Sequence, residues 1–230
     1  TLLCCSRWQG LLLLDLNTGK CRRPPFDCGK EIMNVLIDSQ ERIWVAPYNG
    51  GLNCLTRDGK LLATYTTHNS SLSNNVILSL ADREGEIWIG TDGGGINILD
   101  PETRRFSLLE HMPGSDNYSL PANSILCLYN DCNNNMWAGS IRNGLISIRE
   151  VSMKTYTDVP PGNDRGLSNN TVLSLFQESQ DQIWVGTDGG GINSFNPLTE
   201  KFIHYPSTWE DKVASICQFT PGKLLISLFS

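Results

Sequence analysis

Three histidines, eight cysteines and two glycine-rich runs are the residues here whose types could do chemistry. His68, His111 and His204 would serve as metal ligands or proton carriers only if they converged, and each is expected near the outer end of a different repeat. The cysteines, at 4, 5, 21, 28, 54, 127, 132 and 217, include no CxxC pair of zinc spacing. Several fall where other repeats carry small or apolar residues, so mostly free core thiols are expected, with Cys21–Cys28 the first pairing to look for. The runs at 90–95 and 186–191, each Gly-Thr-Asp-Gly-Gly-Gly, lack the lysine and following helix of a phosphate loop and read as hairpin turns. No GxSxG, HExxH or GxxxxGK motif occurs, and Asp82, Glu84 and Glu86 read as a solvated hairpin rather than a catalytic set. No catalytic residue, metal site or cofactor is therefore expected, and the chain reads as a binder rather than an enzyme. Larger side chains elsewhere offer a different chemistry: Arg7, Trp8, Gln9, Tyr48, Asn49, Arg142 and Asn143 combine flat rings with amides and guanidinium groups. Such a set suits sugars, whose apolar faces stack and whose hydroxyls need donors and acceptors.

What relates these residues is a repeat. The segment from Ser73 through Trp88 to Asn97 recurs from Ser168 through Trp184 to Asn193, and weaker copies centre on Trp44 and Trp137. The tryptophans step by 44, 49 and 47 residues. Six residues before each stands an acid, Asp38, Asp82, Asp131 or Glu178. Seven residues after each stands a glycine, Gly51, Gly95, Gly144 or Gly191, followed by Leu52, Ile96, Leu145 or Ile192.

Each copy reads as four short strands: an apolar one (76–80, 171–176), the Trp strand (87–91, 183–187), a third (96–99, 192–195) and a fourth carrying Phe106 or Phe202. Asp-Gly or Asn-Gly opens the turn after the Trp strand, and Asp100-Pro or Asn196-Pro closes the third. Helical periodicity is absent. A four-stranded unit at about 40–50 residues is a propeller blade, so the expected class is all-β, a β-propeller of antiparallel blades. The tryptophans are expected to fill the space between neighbouring sheets, and the acids to order the first hairpin by side-chain-to-backbone bonds. A net charge of −6 argues against a nucleic-acid partner. No apolar run approaches the roughly 18 residues of a spanning helix, so no membrane contact is expected within this chain.

The string Leu-Ser-Asn-Asn-x-Val-x-Ser-Leu, with its acid and Ile-Trp-Ile-Gly-Thr-Asp-Gly-Gly-Gly-Ile-Asn, resembles the two-component-regulator propeller repeat. The resemblance covers nearly the whole chain and is most specific over 72–97 and 167–193. It implies a periplasmic sensor segment of an inner-membrane receptor in Bacteroides-type hybrid two-component systems, with oligosaccharide ligands. The histidine kinase that such a receptor signals to is absent from this chain. Propellers of this family usually have seven blades, which makes 230 residues a segment of one.

By register, Leu3 and Leu225 take the Trp position in further copies, giving steps of 41, 44, 49, 47 and 41. The expected organisation is one propeller segment over 1–230, with a partial repeat at about 1–30, repeats at 31–71, 72–119, 120–166 and 167–208, and a partial repeat at 209–230. Exposed blade faces would then be met by the remaining blades or by self-association. Closure as five blades is the competing arrangement, and it would leave one Trp-register strand over.

The turn after each Trp strand opens on one face of a propeller. Copy by copy it reads Arg7-Trp8-Gln9, Tyr48-Asn49-Gly50, Asp92-Gly93-Gly94, Ile141-Arg142-Asn143 and Asp188-Gly189-Gly190. Three copies have exchanged plain turn chemistry for contact chemistry, so Arg7, Trp8, Gln9, Tyr48, Asn49, Asp92, Arg142, Asn143 and Asp188 form the candidate ligand site. Merely degenerate turns would look the same in sequence. Asn74-Asn75, Asn169-Asn170 and Asn123 are secondary candidates, with turn capping as their other reading. A protein-interaction scaffold without a small ligand is the alternative function, although WD and Gly-His signatures are missing.

Overall fold

The computed structural model describes residues 2–6, 10–111, 119–149, 152–205 and 212–229, with side-chain surroundings for 10–111, 119–148, 154–205 and 212–228. Two compact units form, Thr1–Leu109 and Glu110–Ser230. The first holds a three-stranded sheet of β1 (Leu2–Ser6), β2 (Gly10–Leu14) and β3 (Cys21–Arg22). Two four-stranded sheets follow: β4 (Ile32–Ile37), β5 (Ile43–Pro47), β6 (Leu52–Leu55), β7 (Leu61–Tyr65), then β8 (Ile77–Arg83), β9 (Glu86–Thr91), β10 (Ile96–Asp100), β11 (Arg105–Leu109). The second unit holds β12 (Ile125–Asn130), β13 (Met136–Ser140), β14 (Leu145–Arg149), β15 (Ser152–Tyr156), then β16 (Val172–Ser179), β17 (Gln182–Thr187), β18 (Ile192–Asn196), β19 (Lys201–Tyr205). A two-stranded sheet of β20 (Lys212–Thr220) and β21 (Lys223–Phe229) completes it. The ladders are antiparallel and the strands lie in chain order, so each sheet is a meander, as expected of a propeller blade.

Innermost strands run past the apolar residues that announce them. β8 continues through Asp82 because Arg83 still pairs with Glu86, and β16 through Glu178 because Ser179 pairs with Gln182. Each innermost strand also carries a register shift near its start, at Ile32/Asn34, Ile77/Ser79, Ile125/Cys127, Val172/Ser174 and Val213/Ser215. One extra residue there bends the strand and increases its twist. The ladders support the extended register as well. Leu3 faces Leu13 as Trp44 faces Cys54, and Leu225 faces Cys217 as Trp44 faces Leu36.

The middle strand β5 is buried on both faces, Ile43 and Val45 against Leu11 and Leu13 of the first sheet and Trp44 and Ala46 against Ile87 and Ile89 of the third, which is why Ile43, Trp44, Val45 and Ala46 run apolar without alternation. Outer strands such as β11 are mostly exposed. Aromatic rings fill the space between sheets, as expected. Trp44 stacks on Tyr65 at 6.3 Å, and Tyr65 meets Phe106 of the next sheet edge-on at 5.6 Å. In the second unit Trp137 and Tyr156 close on Phe195 at 5.4 and 4.9 Å. Gly139 permits the approach of the next innermost strand, since a Cβ there would stand 2.6 Å from Val172 Cγ1.

The repeat acids do more than order their hairpins. Asp38 Oδ1 accepts the backbone N–H groups of Gln40 and Arg42, and Asp131 Oδ1 those of Asn133 and Asn135. The second oxygen of each accepts the buried indole N–H, from Trp44 at 2.8 Å and Trp137 at 2.9 Å. Glu178 holds Trp184 the same way at 2.7 Å. Burial alone would push the Asp38 carboxyl up, but the Trp44 and Arg42 bonds outweigh it and hold it below the usual carboxylate range. Asp82 differs: it accepts Ser39 N–H of the neighbouring sheet at 2.6 Å, and the buried Trp88 indole N–H has no partner among the described residues. Trp137→Phe should therefore cost about 1–2 kcal/mol more than Trp88→Phe, because only the first loses a buried hydrogen bond. Paired urea melts of the two variants measure the difference, and equal losses would remove the indole–acid bond as a source of stability.

Candidate functional site

The candidate residues sit on the turns between second and third strands. In the regular copies Gly93 and Gly189 hold φ of 86° and 82°, left-handed backbone that suits glycine. The next residue is confined: a Cβ on Gly94 would lie 2.4 Å from Ser73 Oγ, and one on Gly190 2.6 Å from Asn169 Cβ. In the variant copies the left-handed position belongs to Asn49 at 51° and Arg142 at 65°. Asparagine tolerates that region, whereas arginine there carries a strain of about 1–2 kcal/mol.

Asn143 takes the confined position, and its surroundings have changed with it. In the regular copies Ser73 N–H donates to Asn97 Oδ1 at 2.9 Å, while Asn97 Nδ2 donates back to Ser73 Oγ at 2.7 Å. Ser168 and Asn193 repeat this clamp at 3.0 and 2.9 Å. In the third copy Pro121 and Ile146 stand at both ends of the clamp, and Ala122 stands where Asn74 would. Several positions around one turn have thus changed together. Nothing in sequence spacing announces the clamp, although lining up the copies pairs Ser73 with Asn97 and Pro121 with Ile146.

Each unit brings its own candidates together around one connection. In the first, Gly51 N–H donates to Asn75 O at 3.1 Å and Asp92 N–H to Val76 O at 2.9 Å, so Tyr48, Asn49 and Asp92 border the 66–76 connection. Tyr48 is 57% exposed, free to offer its ring face. In the second, Gly144 N–H donates to Asn170 O at 2.7 Å and Asp188 N–H to Thr171 O at 2.9 Å. Arg142, Asn143 and Asp188 accordingly border the 157–171 connection, where a cavity of about 170 Å³ opens between Gly189, Gly190 and His204. Asp188 also pairs with Lys212 at 3.4 Å. Arg7, Trp8 and Gln9 lie outside the described residues.

The asparagine pairs cap turns. Asn74 Oδ1 accepts Val76 N–H at 2.8 Å, Asn75 Oδ1 accepts Thr67 N–H at 2.9 Å, and Asn169, Asn170 and Asn123 accept Thr171, Asp158 and His111 N–H groups. The ring nitrogens of His111 and His204 each meet a backbone carbonyl, of Leu120 and Gly166. Among the described thiols Cys21, Cys28, Cys54, Cys127, Cys132 and Cys217 are free, so Cys21–Cys28 is not a bridge: Cys28 is buried and Cys21 exposed. Burial pushes the Cys28 and Cys54 thiols up to about 11 and Cys127 to about 12, keeping them protonated core groups.

The two-component regulator propeller family matches residues 71–93 and 166–189, the two stretches that hold the glycine turns. Two stretches of the chain thus match the two-component regulator propeller repeat. No curated protein matches it in sequence. Among solved structures, the extracellular domain of a hybrid two-component system from B. thetaiotaomicron superposes with a TM-score of 0.77 at 19% identity, over 95% of this chain and 30% of that one. A computationally designed protein superposes at 0.65 with 15% identity, over 98% of this chain and 64% of the other. PorZ, a bacterial surface component of the type-IX secretion system of Porphyromonas gingivalis, superposes at 0.60 with 16% identity, over 86% and 31%. At these identities the likeness is one of fold, and the chain spans 30% of the length of the B. thetaiotaomicron domain. Its regular repeats keep glycine where Arg142 stands. Arg142→Gly should therefore raise stability by about 1 kcal/mol and Gly189→Arg lower it by a similar amount, read as opposite shifts in thermal melts. Shifts of the same sign would mean that Arg142 is not strained.

Proposed function

We propose that this regulator propeller segment belongs to the extracytoplasmic, periplasmic sensor of a hybrid two-component receptor and takes an oligosaccharide at its variant turns. The observation that carries this is Arg142, a long charged side chain held at φ 65° where two other copies hold glycine. Strain kept in a turn calls for a compensating role, and exposed turns on a stiff scaffold are where contact residues belong. In the first unit Tyr48 offers a ring for stacking, Asn49 an amide that both donates and accepts, and Asp92 a carboxylate for a pair of hydroxyls. Arg7, Trp8 and Gln9 extend the same chemistry. In the second unit Arg142 supplies a planar fork of donors beside Asn143 and Asp188. The role is binding without turnover, with the signal passed to a histidine kinase elsewhere in the receptor.

Tyr48→Ala combined with Arg142→Ala should weaken binding of the recognised glycan about tenfold or more while leaving the fold intact. Thermal-shift screening against plant and host oligosaccharides identifies that glycan, because a ligand of the native state stabilises by mass action, and calorimetry on the variant then reads the loss. Unchanged affinity would retire these turns as the site.

A second part of the proposal is contact with another copy or with further blades. It rests on the β20–β21 sheet, where Phe219, Leu225 and Leu228 are 69, 58 and 49% exposed. Exposed apolar groups of this size gathered on one small sheet mark an association surface. The mass read by static light scattering should rise with concentration, and a monomer at all concentrations would dismiss self-association.

A further inference from the structure

At the outer strands of the first unit a cleft of about 850 Å³ opens between β7 and β11. Tyr65, Asn69, Ser70, Ser71, Arg104 and Arg105 line it. The second unit shows what the same position holds when the chain fills it. There the Tyr156 hydroxyl donates to Glu200 Oε1 at 3.2 Å, Lys154 pairs with Glu200 Oε2, and Lys201 pairs with Asp164 at 2.8 Å. Two cations meet two carboxylates, and the edge is neutral.

Register identifies the counterparts in the first unit. Tyr65 faces Leu52 as Tyr156 faces Leu145, and Ala63 faces Cys54 where Lys154 faces Ser147. Arg104 and Arg105 follow Trp88 by 16 and 17 residues, as Glu200 and Lys201 follow Trp184. Arg104 and Glu200 even share a backbone, with φ of 59° and 58°. The turn is the same and only the side-chain chemistry has changed. Where the second unit has Glu200 and Asp164, the first has Arg104 and a run of neutral donors, Asn69, Ser70 and Ser71. Among the described residues neither Arg104 nor Arg105 makes an ion pair. The Tyr65 side chain, largely buried against Trp44 and Phe106, lines the cleft beside them.

We propose that this cleft binds an oxyanion, a carboxylate or sulfate group, in the place of the carboxylate that Glu200 supplies to the second unit. Guanidinium forks match both groups, forming short charge-assisted hydrogen bonds in pairs. The Ser70 hydroxyl is spent on Thr66 O and one Asn69 amide N–H on Thr64 O, which leaves the Ser71 hydroxyl and the second Asn69 N–H for the remaining oxygens or for the hydroxyls of a sugar that carries the anion. A chain of net charge −6 repels anions at long range, so two arginines lining one cleft, with Asp100 across the ladder from Arg105 as the neighbouring carboxylate, form a local exception. The cleft shares the 66–76 connection with Tyr48 and Asn49 but none of the variant-turn residues lines it, so it stands whether or not those turns bind sugar.

The test is calorimetric titration of the full chain with trigalacturonate, inorganic sulfate and a neutral galactose trimer. Trigalacturonate should bind about tenfold or more tightly than the neutral trimer, and added salt should weaken it. Sulfate binding as well as trigalacturonate identifies a free oxyanion as sufficient; tighter trigalacturonate identifies a sugar-borne carboxylate. Arg104→Glu should plug the cleft as Glu200 does in the second unit and abolish binding with the melting temperature preserved. Arg104→Gln with Arg105→Gln should do the same without adding a charge, while Lys223→Gln, which removes a cation that does not line the cleft, should change nothing. Equal affinity for the neutral trimer, no binding of either anion, or full binding by both arginine variants would overturn the proposal.

Discussion

A tryptophan ring packed between two sheets brings a polar N–H into a place that water does not reach. Leaving that group unmet costs about as much as a core hydrogen bond is worth, so each repeat must deliver an acceptor at the right depth. The acid six residues upstream does this in three of the four tryptophan copies, as Asp38, Asp131 and Glu178. The two aspartates use their other oxygen to close the hairpin between innermost strand and Trp strand. One carboxylate therefore couples a local turn to the packing between sheets. Asp82 shows the same group used differently, bonded to the neighbouring hairpin at Ser39 while Trp88 goes without.

Because these contacts lie on the middle strands, the scaffold asks little of the turns at its edges. Gly93 and Gly189 are the unstrained solution, and the chain departs from it at Arg142 with the ladder unchanged and at Asn49 with the ladder ending one pair earlier, at Val45 and Asn53. The change at 141–143 goes with one beside it, since Pro121 stands where Ser73 offers the hydroxyl that Gly94 must clear in the regular copy. The outer edge behaves similarly. Glu200 and Arg104 occupy identical turns, yet one neutralises its surroundings and the other leaves two cations facing a cleft. A rigid repeat thus separates fold from contact, and the same backbone presents opposite charges in the two units.

Much of this was legible before any coordinates. Residues at fixed offsets from Trp44, Trp88, Trp137 and Trp184 announce four strands per copy, and the ladders extend that register to Leu3 and Leu225. Variant turns were legible for the same reason, since Arg142 stands where Gly93 and Gly189 do. The asparagines offered two readings in sequence, and only their bonds to Val76, Thr67, Thr171 and Asp158 N–H groups decided for capping. A disulfide across Cys21 and Cys28 is plausible by spacing alone, but both thiols are free, Cys28 turned into the core and Cys21 exposed.

What the sequence determined by itself is the repeat: period, strand order, and the turns that break the rule. Those are properties of residues a few positions apart, where covalent spacing and strand geometry leave little freedom. Tertiary structure decided which groups meet across sheets. The Ser73–Asn97 clamp, the bond from Ser39 to Asp82 and the cleft between Tyr65 and Arg104 join residues far apart in the chain. Their chemistry depends on side-chain direction and on which neighbour lies within about 3 Å, quantities that emerge only when one sheet packs against the next.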